Sequence, residues 1–127
     1  MTLVEMLVVV AIVAILGTIA VGNYRSSALR SNRAEATAAL LRIQAQEEKY
    51  YLNRNTYTEN PQLLGLAANT ERGLYKLEVE VGDDGDTFTA KATAQGSQTA
   101  DKDCPVFTIK ETGARTPIPG DPNRCWR

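Results

Sequence analysis

The chain has 127 residues, with 14 basic and 15 acidic side chains, so its formal net charge is −1. It contains no histidine, which removes the commonest general base and the commonest metal ligand. The length fits one domain, and no basic tract typical of nucleic-acid or anionic-membrane binding is present. We therefore expect a single-domain protein that is not an enzyme and uses no cofactor and no metal.

The first 22 residues form an apolar segment that carries one charge. Every residue from Met6 to Leu16 is hydrophobic, and Ile19 to Val21 extend the run. A helix of about 22 residues is roughly 33 Å long, close to the hydrocarbon thickness of a membrane. Glu5 is costly there, since a charge at the centre of a spanning helix costs roughly 2.5–3.5 kcal/mol. Glu5 is therefore a candidate functional residue that requires a partner.

Helical character is predicted to continue beyond this segment. From Asn23 to about Asn53 there is no Pro or Gly, and good helix formers dominate. One apolar stripe recurs at intervals of seven residues, with an additional leucine on the same side: Leu29, Ala36, Leu40, Ile43 and Tyr50. We predict a single helix of about 50 residues, with Gly17 and Gly22 as its weak points.

The remainder of the chain predicts an antiparallel sheet. Pro61 lies in a turn-rich exit from the helix, and residues 74–81 alternate between apolar and polar side chains. Residues 87–94 and 105–110 predict two further strands, and a short fourth strand is expected near Thr116. The helix stripe is expected to cover one face of the sheet. This is an α+β fold, with residues 1–22 as an apolar segment and residues 23–127 as the helix continuation and β domain.

Two cysteines, Cys104 and Cys125, are the only ones in the chain. An even pair in a small chain favours a disulfide formed in an oxidising compartment, closing a C-terminal loop. Two free thiols, or a metal pair lacking its other ligands, are the alternatives. The acidic turn at residues 82–86 has carboxylates that a calcium site would use, but two glycines and aspartates between strands are also what a hairpin turn requires.

Two further groups of side chains have open interpretations. Four tyrosines are expected to pack in the core and between the helix and the loop, with a binding patch as the alternative: Tyr50, Tyr51, Tyr57 and Tyr75. Three arginines after the apolar run are candidates for contact with anionic headgroups, a solvated helix face, or acidic groups of a neighbouring chain: Arg25, Arg30 and Arg33. By the positive-inside rule these arginines place the C-terminal domain in the cytoplasm, whereas the cysteine pair favours an oxidising compartment.

Several stretches of the sequence resemble the mature form of a type IV pilin. The N-terminal TLVEM, the apolar run after it and Gly-Asn-Tyr-Arg at 22–25 look like the start of such a protein. The resemblance to small pilins of Gram-negative bacteria continues in five places: YYLNRNTYT at 50–58, LLGL at 63–66, GLYKLEV at 73–79, FTAKATAQG at 88–96 and the terminal CW at 125–126.

The resemblance implies a subunit of a filament. In that family a basic leader is removed by a dedicated peptidase and the new N-terminus, here Met1, is methylated. The lost leader resolves the conflict over orientation: the protein starts in the inner membrane with a periplasmic domain and ends in an extracellular pilus, after extraction by an assembly machine. Glu5 occupies the position of the assembly glutamate, which pairs with the N-terminal ammonium of a neighbouring pilin. Adhesion, twitching motility and DNA uptake are the functions that the resemblance offers.

The sequence departs from the pattern of this family at three positions. Met1 stands where phenylalanine is usual, Gly22 where many pilins have proline, and Ala14 where glycine is common. We expect any unwinding of the helix in a filament to lie between Gly17 and Gly22. Two alternatives remain: a type II secretion pseudopilin, and a membrane-anchored periplasmic module that binds a ligand such as DNA, against which the near-neutral charge is weak evidence.

Overall fold

The computed structural model describes residues 1–117 and 122–126. Its first element is the predicted long helix, α1, which spans Leu3–Arg54. The helix ends because Asn55 adopts a left-handed conformation (φ 56°) while its N–H donates to the Tyr51 carbonyl. The helix is continuous through Gly17 and Gly22 in the single chain; the expected unwinding concerns a filament and stays a prediction.

Contacts divide the chain into two compact units, Met1–Ser31 and Asn32–Arg127. The boundary that we predicted at residue 22 marks the end of the apolar run and is therefore a change in composition. The division by contacts does not test it. In the second unit, α1 is followed by a 3₁₀ turn at Pro61–Leu64, where the Asn60 side chain accepts the Gln62 N–H. Gly65 ends this turn in the left-handed conformation.

In the described residues, four strands form one antiparallel sheet in the order β1-β2-β3-β4, as predicted. Their bounds are Tyr75–Val81, Phe88–Ala94, Val106–Lys110 and Arg115–Pro117. A 3₁₀ turn at Gly96–Ala100 connects β2 to β3, and a one-turn helix α2 occupies Pro122–Cys125. The register places Tyr75 opposite Ala94 and Ala92 opposite Phe107, so the apolar side chains of successive strands share one face.

The core of the second unit lies between this face and the predicted stripe of α1. Ala36, Leu40 and Ile43 are buried on the helix, at the spacing that puts them on one side. They pack in one cluster with the largest buried side chains of the sheet: Tyr75, Phe88, Phe107 and Ile109. The helix thus covers the sheet, as an α+β fold requires.

Candidate functional site

The N-terminal unit exposes its apolar surface. Large hydrophobic side chains from Met1 to Val21 are between 45% and 91% exposed, with Met6 the least and Met1 the most. Among the described residues, one helix is long and apolar enough to cross a membrane, and none of its most apolar window is buried. Contiguous apolar surface of this extent marks a membrane or protein contact.

Glu5 lies at the start of this helix, where Thr2 and Glu5 cap each other. The Thr2 hydroxyl accepts the backbone N–H of Glu5 at 3.2 Å. In return Oε2 of Glu5 accepts the backbone N–H of Thr2 at 2.8 Å and its hydroxyl at 3.1 Å. This is a capping box, with Thr2 as the N-cap and Glu5 three residues later. The sequence signal for it, T-x-x-E before an apolar run, is present in TLVE, but our sequence analysis did not use it.

In the described part of the single chain, Glu5 has hydrogen-bond donors but no cationic partner. Within residues 1–117 and 122–126, Glu5 takes part in no ion pair. The backbone N–H groups of the first turn also favour a carboxylate at this end of a helix. The structure therefore leaves the role predicted for Met1 and Glu5 as a prediction that requires a second chain.

The predicted disulfide joins Cys104 to Cys125, with the Cα atoms 5.8 Å apart. Both cysteines are buried, so the bridge attaches the C-terminal helix to the core. The ring of Trp126, the next residue, packs edge-on against Phe107 at 5.9 Å. The guanidinium of Arg115 lies 5.0 Å from the centre of the same tryptophan ring, a cation–π arrangement.

A buried ion pair connects α1 to the segment between β2 and β3. Nε of Arg33 donates to Asp101 at 2.7 Å and Nη2 donates to the other carboxylate oxygen at 2.8 Å. Our interpretation of Arg33 as a headgroup, solvent or neighbouring-chain contact is therefore wrong, because its partner lies inside its own domain. The hydrogen bonds to Asp101 raise the pKa of Arg33 above its ordinary value. This pair holds the helix against the turn that precedes Cys104.

Gln98 extends the same polar cluster. Its amide Nε2 donates to the hydroxyl of Tyr75 at 3.0 Å, and its Oε1 accepts from the side chain of Asn32 at 3.1 Å. Burial raises the pKa of Tyr75 to about 12. Tyr75 is fully buried in this cluster and in the core, so it contributes packing rather than a surface patch.

The end of α1 meets the β1–β2 turn through aromatic contacts. The rings of Tyr51 and Tyr57 lie 4.6 Å apart, and Tyr57 packs edge-on against Phe88 at 4.7 Å. The Tyr51 hydroxyl donates to Asp86 at 2.9 Å. Burial and the hydrogen bond to Glu48 raise the pKa of Tyr57 to about 12. These tyrosines join the helix to the acidic turn.

The acidic turn itself has the geometry of a hairpin. Gly82 N–H donates to the Thr87 carbonyl, and the Asp84 carboxylate accepts the Asp86 N–H. Gly85 adopts φ 76°, which a glycine tolerates best, and a Cβ there would collide with Thr56. Within the described part of the chain, no group of three or more histidine, cysteine or acidic side chains is arranged to hold a metal ion.

Comparisons with known proteins agree on one family. A family model described as "Type IV minor pilin ComP, DNA uptake sequence receptor" matches residues 22–108. The chain is 30% identical over 118 residues to "Type IV major pilin protein PilE1" of Neisseria gonorrhoeae, covering 89% of this chain and 70% of the relative. It is 28% identical over 117 residues to a "Fimbrial protein" of Neisseria meningitidis serogroup A, covering 89% and 67%.

A solved structure supports the fold. The type IV pilin from Shewanella oneidensis superposes with a TM-score of 0.61 at 20% identity, covering 78% of this chain and 98% of that one. At this identity the match concerns architecture only. Together with the family model and the Neisseria relatives, it leads to one conclusion: this chain belongs to the type IV pilins, a family of structural, non-enzymatic proteins.

Proposed function

We propose that this chain polymerises with like pilins into a type IV pilus through the N-terminal half of α1, and that Glu5 sets its axial register. The observation that carries the proposal is the exposed apolar surface of residues 1–21 with one carboxylate at its start. Apolar side chains lose little when they exchange lipid for protein, so burial alone does not select one arrangement of helices. Packing and polar pairing must select it.

Electrostatics explains how one acidic group can set the register. Glu5 has its Thr2 donors in the single chain, but in an apolar surrounding its charge lacks a counter-ion. The Met1 ammonium of a neighbouring subunit, about 4 Å away, would gain about 4 kcal/mol at an effective dielectric constant of roughly 20. That gain is close to the roughly 2.5–3.5 kcal/mol that a charge costs in the membrane centre. The pair therefore favours one register without adding much net stability.

This proposal implies a sequence of locations and partners. The chain first lies in the inner membrane with its second unit in the periplasm, where the disulfide forms. A leader peptidase exposes the N-terminus of Met1, which is then methylated. An assembly machine extracts the subunit, which joins other pilins in an extracellular filament.

The capping box permits a test that separates the charge of Glu5 from its hydrogen bonds. Glu5→Gln keeps an oxygen acceptor that can serve a capping box but removes the charge. Thr2→Ala removes the cap hydroxyl, at a cost of about 1 kcal/mol to the helix, and keeps the charge. We expect surface filaments to be lost in Glu5→Gln and retained in Thr2→Ala, with both chains inserted in the membrane. Normal piliation of Glu5→Gln would refute the register role, and equal loss in both variants would assign the effect to the cap.

A second candidate function, DNA binding within the pilus, is favoured by the family model, whose description names a DNA uptake sequence receptor. The C-terminal region offers suitable chemistry: Arg115 lies over Trp126, and Arg124, two residues before that ring, is exposed and has only a long, exposed ion pair with Asp103 at 4.0 Å. Arginine and aromatic side chains together contact phosphates and bases. Because the chain has a net charge of −1, any such contact must be local.

Binding of duplex DNA across a salt series tests this second function. If the arginines contact phosphates, log K falls with log salt with a slope of about −0.9 per phosphate. Replacing Arg115 and Arg124 with alanine should reduce the slope. The control is Lys76→Ala, which removes a lysine engaged with Glu78 at 2.9 Å. Absence of salt-dependent binding in the wild type would exclude this function.

A further inference from the structure

One buried carboxyl group of the second unit has no cationic partner among the residues that the structure describes. Glu47 lies on α1, seven residues before the helix ends at Arg54, and its side chain is 0% exposed. Its Oε2 accepts the backbone N–H of Thr58 at 3.1 Å. Its Oε1 is buried and has no hydrogen-bond partner among residues 1–117 and 122–126. Asp101, also buried, has in contrast two bonds from Arg33.

A carboxylate in this position is unfavourable. Burying a charge without a counter-ion is so costly that the group binds a proton instead. Other charged and titratable groups lie on the elements around this junction. The acidic and phenolic ones are Glu48, Tyr50, Tyr51, Tyr57, Glu59, Asp83, Asp84, Asp86 and Glu111, and the cations are three exposed side chains, Lys49 and Arg54 on α1 and Lys110 at the end of β3. Burial raises the pKa of Glu47 above its ordinary value. The hydrogen bond from the Thr58 N–H lowers this pKa, and the negative charge of Glu48 raises it further.

The hydrogen bond from Thr58 fixes the segment that leaves α1. This segment, residues 55–60, starts at Asn55, whose left-handed conformation ends the helix. Tyr57 N–H donates to the Gly85 carbonyl, and the Thr58 N–H donates to Glu47. The backbone of Thr58 is thus held to the helix through the side chain of Glu47, which is a titratable group.

We propose that Glu47 is a proton-controlled latch, which holds Thr58 against α1 while its carboxyl is neutral and releases Thr58 when it loses its proton. In the neutral form Oε2 is the carbonyl oxygen that accepts the Thr58 N–H, and Oε1 carries the proton. In the ionised form the carboxylate must reach water, which requires this segment to open. The latch concerns the fold of the second unit and does not depend on polymerisation, although an extracellular filament would be exposed to the external pH.

Linkage gives the direction and the size of the effect. The latched state holds the Glu47 proton more tightly than the open state, whose pKa is that of an ordinary glutamate, about 4.3. Above that pH the opening equilibrium constant therefore rises by up to about tenfold per pH unit, because opening releases one proton. The rise stops at the pKa of the latched state, above which both states are ionised.

The experiment uses the full-length chain in detergent micelles. Carboxyl NMR follows the ionisation of Glu47, and amide hydrogen exchange follows the opening at Thr58, corrected for the intrinsic rate at each pH. We expect the midpoint of Glu47 to lie above about 4.3, and Thr58 protection to fall by up to about tenfold per pH unit until that midpoint is passed. A midpoint at the ordinary glutamate value, or Thr58 protection that does not change with pH, would overturn the proposal.

Two variants identify the responsible group. Glu47→Gln has nearly the same shape and no proton to lose, so its Thr58 protection should be independent of pH. Glu48→Gln changes an exposed carboxylate that accepts the Tyr57 hydroxyl. Its Thr58 protection should still depend on pH, but the Glu47 midpoint should move down toward the ordinary glutamate value, because the charge of Glu48 helps to raise the pKa of Glu47. A slope that persists in Glu47→Gln would assign the pH dependence to another group and refute the latch. If Glu47→Gln does not fold, the wild-type titration of Glu47 still decides.

Discussion

The buried pair of Arg33 and Asp101 provides a quantitative test of how the long helix is held on its domain. The side chains are only 10% and 3% exposed, and two hydrogen bonds of 2.7 and 2.8 Å join them. Asp101→Ala leaves a buried guanidinium without its counter-ion. Breaking a buried pair in this way costs about 3–5 kcal/mol. We expect a loss of that size in the free energy of unfolding.

Urea unfolding of the full-length chain in detergent, followed by the fluorescence of Trp126, measures this loss. Trp126 is the only tryptophan, and it packs against Phe107 in the core. With an m-value of about 2 kcal/mol/M, a loss of about 3 kcal/mol lowers the midpoint by about 1.5 M. The matched control is Glu80→Ala, which removes the 74%-exposed partner of Lys91.

The control pair is exposed and 3.6 Å apart, so its removal should cost no more than about 1 kcal/mol. Replacing both Arg33 and Asp101 with leucine should recover most of the loss, because no unpaired charge then remains. If Asp101→Ala costs no more than Glu80→Ala, the buried pair does not anchor the helix and the reasoning fails.

Three further predictions concern other parts of the second unit. The disulfide joins cysteines that are 21 residues apart. Reducing it should lower the free energy of unfolding by about 3 kcal/mol, the value expected from the entropy of the closed loop, in the same urea experiment. No change would mean that packing alone closes the loop. Gly85→Ala should lower the free energy of unfolding in urea by more than Gly96→Ala does. Both glycines have a positive φ, but only Gly85 lies against Thr56. Equal losses would contradict this close approach. The pKa of Tyr57 and that of Tyr75 are each raised to about 12. Both hydroxyls should therefore ionise in ultraviolet titrations of the folded protein near pH 12, and the stability that they contribute below about pH 10 should be lost as the pH rises through 12. Ionisation near pH 10 in the folded protein would refute the raised pKa values.

The sequence predicted the architecture because its patterns are long and regular. The apolar stripe of α1 and the alternation of Tyr75, Leu77 and Val79 in β1 each follow one period over several turns or residues, so both elements were confirmed. The fourth strand and the disulfide were also confirmed. Local composition was sufficient for these features.

The burial of charged residues within the helix stripe could not be predicted from the sequence pattern. Arg33 and Glu47 continue the spacing of Ala36, Leu40 and Ile43 on one side of the helix. Because Arg33 is charged, we nevertheless interpreted it as a surface residue. Burial of a charge depends on a partner distant in sequence, as Asp101 is from Arg33, and periodicity contains no information about that partner. The Thr2–Glu5 cap could have been predicted from the sequence, because its signature lies within four consecutive residues.

The central claim, that Glu5 sets the register by pairing with another subunit, is tested most directly by a density map of the assembled filament. The account predicts that the Glu5 carboxylate lies within about 4 Å of the N-terminal nitrogen of Met1 in an adjacent subunit, inside the apolar core. A Glu5 side chain that faces water, or that lies more than about 10 Å from the N-terminus of every neighbour, would contradict it.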